Sequence, residues 1–375
     1  MNNNILITLL VVVAFVACNN KRHVFIDDLE VYKIEKVDDV LYWDDFVEKI
    51  DIIPLETNAN SLVGVFHKGI VTGSDIYVFD FRYQILLNFD IAGNFKKRIG
   101  GKGKGPEEYF EIRDFCIVDD DIYILDYKKI HRYSRITGKK EDTWSFDTRN
   151  SFNPVSMFVF DKNNYFLWNI DPPSVVNSDQ GEYYRMHKMK EGKALEKFFK
   201  YEYPLTNAPW FYMLDKQSCY LRPIDGEDII YKLTKDSLCA LFKIDFGRMA
   251  ITVPEIEELT KSPNPDEYIN SNKFKSISTV LEVKDYIFFT CIGPESKGYQ
   301  GLISKRTGNV KFGKANFINP RFFFSDGTFL YGYYEPHTID LHKANNRRSC
   351  FDSVWLNSEH INIDDNVVIV RVLLK

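Results

Sequence analysis

The sequence predicts an all-β fold: a six-bladed β-propeller of four-stranded antiparallel blades, closed by N-terminal and C-terminal strands and carrying short helical insertions. Three observations carry that prediction. First, Ser74-Asp-Ile-Tyr-Val-Phe-Asp80 and Asp120-Asp-Ile-Tyr-Ile-Leu-Asp126 state one pattern twice, with the cores 46 residues apart when counted from Ile76 to Ile122. A fixed period in that range marks a repeat fold built of small sheets. Second, aromatic residues make up 15% of the chain, with 30 Phe and 22 Tyr, which suits half-buried pleated surfaces better than helices. Third, five glycine- or aspartate-centred turns recur, each flanked by alternating apolar and charged residues.

Taken in order, the chain begins with an apolar run from Ile5 to Ala17, 13 residues broken only by Thr8. As a helix it would be about 20 Å long, too short for a bilayer core of roughly 30 Å. It reads instead as a signal peptide over residues 1–17, although Met1-Asn-Asn-Asn4 brings no Lys or Arg to its start. Phe15-Val-Ala-Cys18 has the form of a lipobox, with Cys18 as the lipidation site. Residues 18–45, polar and of mixed charge, read as a tether, and 46–375 as the propeller. The residues just after Cys18, Asn19-Asn-Lys-Arg-His23, are polar and basic.

The outer hairpin of each blade needs a short Gly, Asn or Asp turn. Candidates lie at Gly93, Gly138, Gly192, Asp236 and Gly308, separated by 45, 54, 44 and 72 residues. The last gap is too long for one blade. Val253-Pro-Glu-Ile-Glu-Glu-Leu259 and Asn264-Pro-Asp-Glu-Tyr-Ile269 explain it, since early Pro and first-turn acids are how short helices begin. Phe322–Phe324, Phe329–Tyr333 and Val367–Leu374 supply only three strands of a sixth blade. Phe46–Leu55 is expected to add the fourth beside the last strand, with Pro54 on the outer side where its missing N–H does no harm. Closure of this kind removes exposed sheet edges.

Arg98-Ile-Gly-Gly-Lys-Gly-Lys-Gly-Pro-Glu-Glu-Tyr109, Ile52-Ile-Pro-Leu-Glu-Thr57 and Lys243-Ile-Asp-Phe-Gly247 together resemble the six-bladed β-propeller lipoproteins of Gram-negative anaerobes, whose blades are similar to NHL repeats. The likeness covers roughly Phe46 to the C-terminus. It implies the fold, an envelope address and a helical excursion after Ile-Asp-Phe-Gly, but no activity. In such lipoproteins acidic residues just after the lipid-bearing cysteine accompany surface export, so under this resemblance the basic residues after Cys18 imply the periplasmic face over the cell surface.

Charge and motifs exclude several chemistries. The net charge of −5 is spread along the chain, unlike a nucleic-acid binder. Gly100–Gly105 lacks the Gly-Lys-Ser/Thr of a phosphate loop and reads as a turn between blades. Asp119-Asp-Asp121 and Asp364-Asp365 lack calcium-loop spacing and read as solvated turns. The seven His show no zinc-helix spacing, and no Gly-x-Ser-x-Gly elbow occurs. No metal, cofactor or catalytic residue is nominated. Without Cys18 five Cys remain, an odd number with no C-x-x-C pair; Cys116, Cys239 and Cys291 lie in apolar runs, so buried inert thiols are expected.

The candidate ligand-binding residues are Trp144, Trp168, Trp210 and Trp355, which on loops around a ring mouth would stack on sugars or clamp a peptide. Packing between blades is the plainer role for each. The leading expectation is a lipid-anchored, non-enzymatic binding or scaffold module of the cell envelope for a glycan, peptide or protein partner. The alternatives are a propeller hydrolase or lyase with carboxylates at the channel mouth, and a purely structural envelope protein.

Overall fold

The computed structural model describes residues 29–146, 153–169, 183–200, 211–215, 217–221, 226–262, 266–316, 319–343, 349–352 and 361–375. These form six antiparallel sheets. Their innermost strands, in ring order for blades I to VI, are Phe66–Val71, Asp114–Val118, Pro154–Asp161, Phe211–Asp215, Ser276–Val283 and Arg321–Ser325. Within each blade the chain meanders outward. Links between blades and the turns between second and third strands therefore share one face, here called upper.

The predicted outer hairpins all form. Gly93, Gly138, Gly192 and Gly308 sit at their turns with φ between 71° and 92°, a region open to glycine without strain. Asp119 likewise occupies a tight turn, and Gly100–Gly105 lies in the link between blades I and II. At Gly100, φ is 60° and a Cβ would fall 2.8 Å from Tyr133 Oη, so the repeat core leaves room there for backbone alone.

Ring closure also follows the sequence reading. Val47–Pro54 pairs antiparallel with the C-terminal strand Val368–Leu374, from Val47 against Leu374 to Pro54 against Val368. Pro54 is on the outermost strand of blade VI. Arg371 reinforces the seam, 2.8 Å from the Asp51 carboxylate. The expected insertions appear as α1 (Val253–Lys261) and α2 (Asp266–Ile269), and α1 opens on a Thr252/Glu255 capping box. A further helix, α3 (Pro336–Lys343), lies inside blade VI and was not expected.

The tether expected up to Asp45 is a correction. Glu30–Lys33 adds a fifth, parallel strand to blade IV. Asp38 bridges Gly313 on the outer strand of blade V, and Leu41 N–H donates to Lys314 O at 3.1 Å. Trp43, 1% exposed, then packs against Phe288, Phe322 and Phe351. Residues 30–43 thus strap three blades, with Tyr32 and Ile34 entering the interface of blades IV and V and Leu41 and Trp43 that of blades V and VI.

The core is divided rather than central. Six apolar clusters occupy the six interfaces between neighbouring blades. Cys116, Cys219 and Cys291 are buried in them or beside them, as expected, but Cys239 is exposed on the outer strand of blade IV, beyond the stretch that the strap covers.

Candidate functional site

The six inner strands surround an axial channel. Its upper chamber, about 270 Å³, takes residues from every blade, among them His67, Tyr212, Ser278, Arg321 and Phe323. Ile70, Cys116, Phe158 and Met213 also line a lower vestibule of about 420 Å³, so they form an apolar waist between the two. Thr72, Asp119, Asp120, Arg135 and Asp215 add polar groups to the vestibule.

Local irregularity aims the upper side chains. Five of the six inner strands carry a register shift, at Phe66/Lys68, Pro154/Ser156, Met213/Asp215, Ile277/Thr279 and Phe322/Phe324. Such bulges turn an extra residue out of the ladder. Three of those extra residues, His67, Ser278 and Phe323, line the chamber. Sequence reasoning missed them, since a bulge leaves only a slip in alternation too short to separate from noise.

The chamber wall is aromatic. Phe66 stacks on Tyr333 at 4.2 Å and meets Phe323 at 4.9 Å. Arg321 lies over the Tyr333 ring at 5.9 Å, with Glu335 3.3 Å from its guanidinium, and stays largely exposed to the channel. Tyr212 Oη donates to the Ser278 carbonyl, and Ser278 Oγ is 2.7 Å from Thr290 Oγ1. His67 leans on Phe79 and Phe81 at 5.2 and 5.1 Å. Its surroundings push its pKa down, mainly by desolvation, so it is neutral at pH 7. A side recess of about 480 Å³ between blades V and VI shares Ser278, Arg321 and Tyr333 with the chamber and adds Gln300 and Asn319.

The carboxylates nearest the channel are engaged in structure. Asp114, 1% exposed, takes Lys68 Nζ at 2.6 Å, its neighbour Phe115 N–H at 2.8 Å, and from blade III Ser156 Oγ at 3.1 Å and Met157 N–H at 2.8 Å. It therefore latches three blades. In the vestibule, Asp120 pairs with Arg135 at 2.7 Å, and Asp215 holds its own turn through Gln217 N–H at 2.7 Å and Ser218 Oγ at 2.9 Å.

Of the expected tryptophans, Trp168 is 1% exposed in the interface of blades III and IV, 5.5 Å from Phe199. Trp144 sits edge-on to Tyr123 and Tyr165 between blades II and III. Both pack between blades, away from the mouth. Trp210, Trp355 and Cys18 lie outside the described residues. Among the described residues no group of three His, Cys, Asp or Glu could hold a metal ion.

A family model described as a domain of unknown function, DUF4934, matches residues 29–372. The chain belongs to the DUF4934 family. The match begins one residue before the strap strand, which places the strap inside the DUF4934 unit. The fold of this DUF4934 chain is similar to that of a putative exported protein from Bacteroides fragilis, at 14% identity and TM-score 0.76 over 92% of this chain and 99% of that one. It is also similar to a member of the DUF4221 family from Bacteroides vulgatus, at 13% identity and TM-score 0.53 over 88% and 97%. No curated protein matches the sequence.

Proposed function

We propose that this DUF4934 protein is a non-enzymatic binding module of the cell envelope, lipid-anchored through Cys18 on the periplasmic side, that seats a glycan or peptide segment in the upper chamber. The observation that carries this reading is the chamber wall, where Phe66, Phe323 and Tyr333 frame a channel-exposed Arg321. Aromatic walls with a few placed polar groups are the usual make-up of ligand sites. Engagement of Asp114, Asp120 and Asp215 in blade contacts supports binding over carboxylate catalysis.

Two experiments test it. Thermal shifts against acidic oligosaccharides and acidic peptides should reveal a ligand that raises the melting temperature of the parent but not of Arg321→Ala or Phe323→Ala. Turnover of such a compound, or equal shifts in all three proteins, would sink the reading. Cys18→Ala should move the protein from membranes to the soluble fraction, and unchanged partition would remove the anchor.

A further inference from the structure

Outside the channel, the upper rim of blades I and II exposes large rings. Phe110 is 61% exposed, Phe81 55%, Tyr83 46% and Tyr127 45%. Four aromatic side chains in two adjacent upper loops and the link between them are more than the scattered singles of an ordinary surface. They are also held in place. Gln84 O accepts from Tyr109 Oη at 3.1 Å and Gln84 Oε1 from Ile112 N–H at 2.9 Å, which ties the blade I loop to the link. The Asp126 carboxylate accepts from Phe110 N–H at 2.9 Å and Tyr127 N–H at 2.6 Å, so one buried acid fixes two of the rings side by side.

Charge separates this rim from the rest of the molecule. In a chain of net charge −5, the segments 81–84, 100–113 and 127–129 carry six Lys and Arg against three Glu. Glu108 is folded onto Gly105 N–H at 2.6 Å, Glu107 onto Lys140 N–H at 2.7 Å, and Glu111 onto Arg113. Arg82, Lys102, Lys104 and Lys128 are exposed and make no ion pair with described residues. Lys128 lies 5.1 Å from the Tyr127 ring, and Arg113 stacks over the same ring at 4.6 Å.

We propose that this rim is a binding track for an acidic polysaccharide: sugar faces stack on Phe81, Tyr83, Phe110 and Tyr127 while carboxylates meet Arg82, Lys102, Lys104 and Lys128. Pre-positioned rings alternating with unpaired cations match a polymer that alternates flat apolar faces with negative charge. An extended peptide captured by strand addition needs a sheet edge. The sheet edges run around the circumference, and only loops and strand ends reach this rim. A membrane surface is disfavoured because the N-terminal segment joins the ring at blade IV, across the axis from blade I. The track adjoins the chamber where Phe81 leans on His67, but Phe110 and Arg82 do not line the chamber, so changes there and at Arg321 tell the two sites apart.

The test is affinity electrophoresis of the mature chain carrying Cys18→Ala, through polygalacturonate and through its neutral methyl ester. Retardation by the acid polymer should exceed that by the ester about tenfold in apparent Kd and weaken as salt rises. Phe110→Ala and Arg82→Glu, both surface changes, should each weaken it about tenfold, whereas Arg321→Ala should leave it unchanged. Melting curves matching the parent certify that both variants are folded. Equal retardation by the ester, full binding by the folded variants, or stronger binding to anionic vesicles or to oligodeoxythymidine would overturn the proposal.

Discussion

Blades I to III and blades IV to VI are held by different means. In blade I, Asp80 at the end of the second strand accepts N–H groups from Gly64, Val65 and Tyr83, which pins the incoming link to the sheet. In blade II, Asp126 does the same for Phe110, Glu111 and Tyr127 and takes His131 Nε2 at 3.0 Å. Blade III keeps a weaker form, in which Asn169 Oδ1 accepts from Asn153 N–H at 2.8 Å. In blades IV to VI the second strands end in Leu221, Ile292 and Tyr334, which offer no such carboxylate or amide. There the N-terminal strap and closing strand do the holding. Tyr32 and Ile34 join the core of blades IV and V, and Leu41 and Trp43 that of V and VI. One half of the ring is secured by an internal repeat, the other by a piece of chain laid across it.

The largest way to break this comparison is at the seam. A chain ending at Asn366 loses the strand that joins both halves, and its melt should show a loss of more than about 5 kcal/mol, beyond ordinary point changes. Melting like the parent would refute closure by the chain ends. Next comes Trp43→Ala, which empties a site in the strapped half and removes the bond that Trp43 Nε1–H donates to Gln300 Oε1 at 3.2 Å. It should cost about 3–5 kcal/mol in denaturant titration.

On the repeat side, Asp126→Ala strands three backbone N–H groups and should cost about 3 kcal/mol, whereas Asn169→Ala strands one and should cost about 1 kcal/mol. Equal costs would mean that the repeated acid has no special standing. Burial alone would raise the Asp126 carboxyl, but His131 and the backbone N–H of Phe110, Tyr127 and Glu111 outweigh it and bring it down to about 2. A lowered folded-state value means stability that is present above the ordinary carboxylate range and is lost as pH falls toward 2. Acid melts of the parent should show that loss, and Asp126→Ala should lack this component. The smallest effect concerns thiols. Cys116 and Cys350 are pushed up to about 12 by burial and Cys239 is exposed, so thiol reagent should meet one fast group in the native chain. In the chain carrying Cys18→Ala, denaturation should bring the total to five, the sixth cysteine being the one substituted.

Legibility in the sequence followed the same division. Asp80 and Asp126 recur in step because each must reach the same backbone groups in its own blade, so the repeat half could be read directly. The closing strand was legible from counting, and α1 from its Pro and acids. The strap was not, because Tyr32 with Ile34 and Leu41 with Trp43 are two pairs at strand spacing, each too short to stand out, and each pair answers to a different interface between blades. α3 begins at Pro336 but lay inside a blade whose strand count already closed. The tryptophans drew notice by size, yet large rings fill interfaces as readily as mouths, and the chamber residues were set by bulges that composition does not reveal. The exposed rings at Phe81, Tyr83, Phe110 and Tyr127 lay beside the repeats in plain view, but as singles they carried no signal until the fold set them side by side.

The pairing of Val47 with Leu374 fixes an order of events when the chain is made. Whether the chain emerges from synthesis or from export, the first partner waits for the last, 327 residues later (374 minus 47). The strap gives that interval a schedule. Glu30–Lys33 can dock once blade IV has emerged, Asp38 and Leu41 once blade V has, and Trp43 as blade VI arrives. In the finished ring the strap leads straight into Val47–Pro54, so a half-exposed strand carrying Glu48, Lys49 and Asp51 is held beside the Val368–Leu374 edge by contacts made on three blades before it.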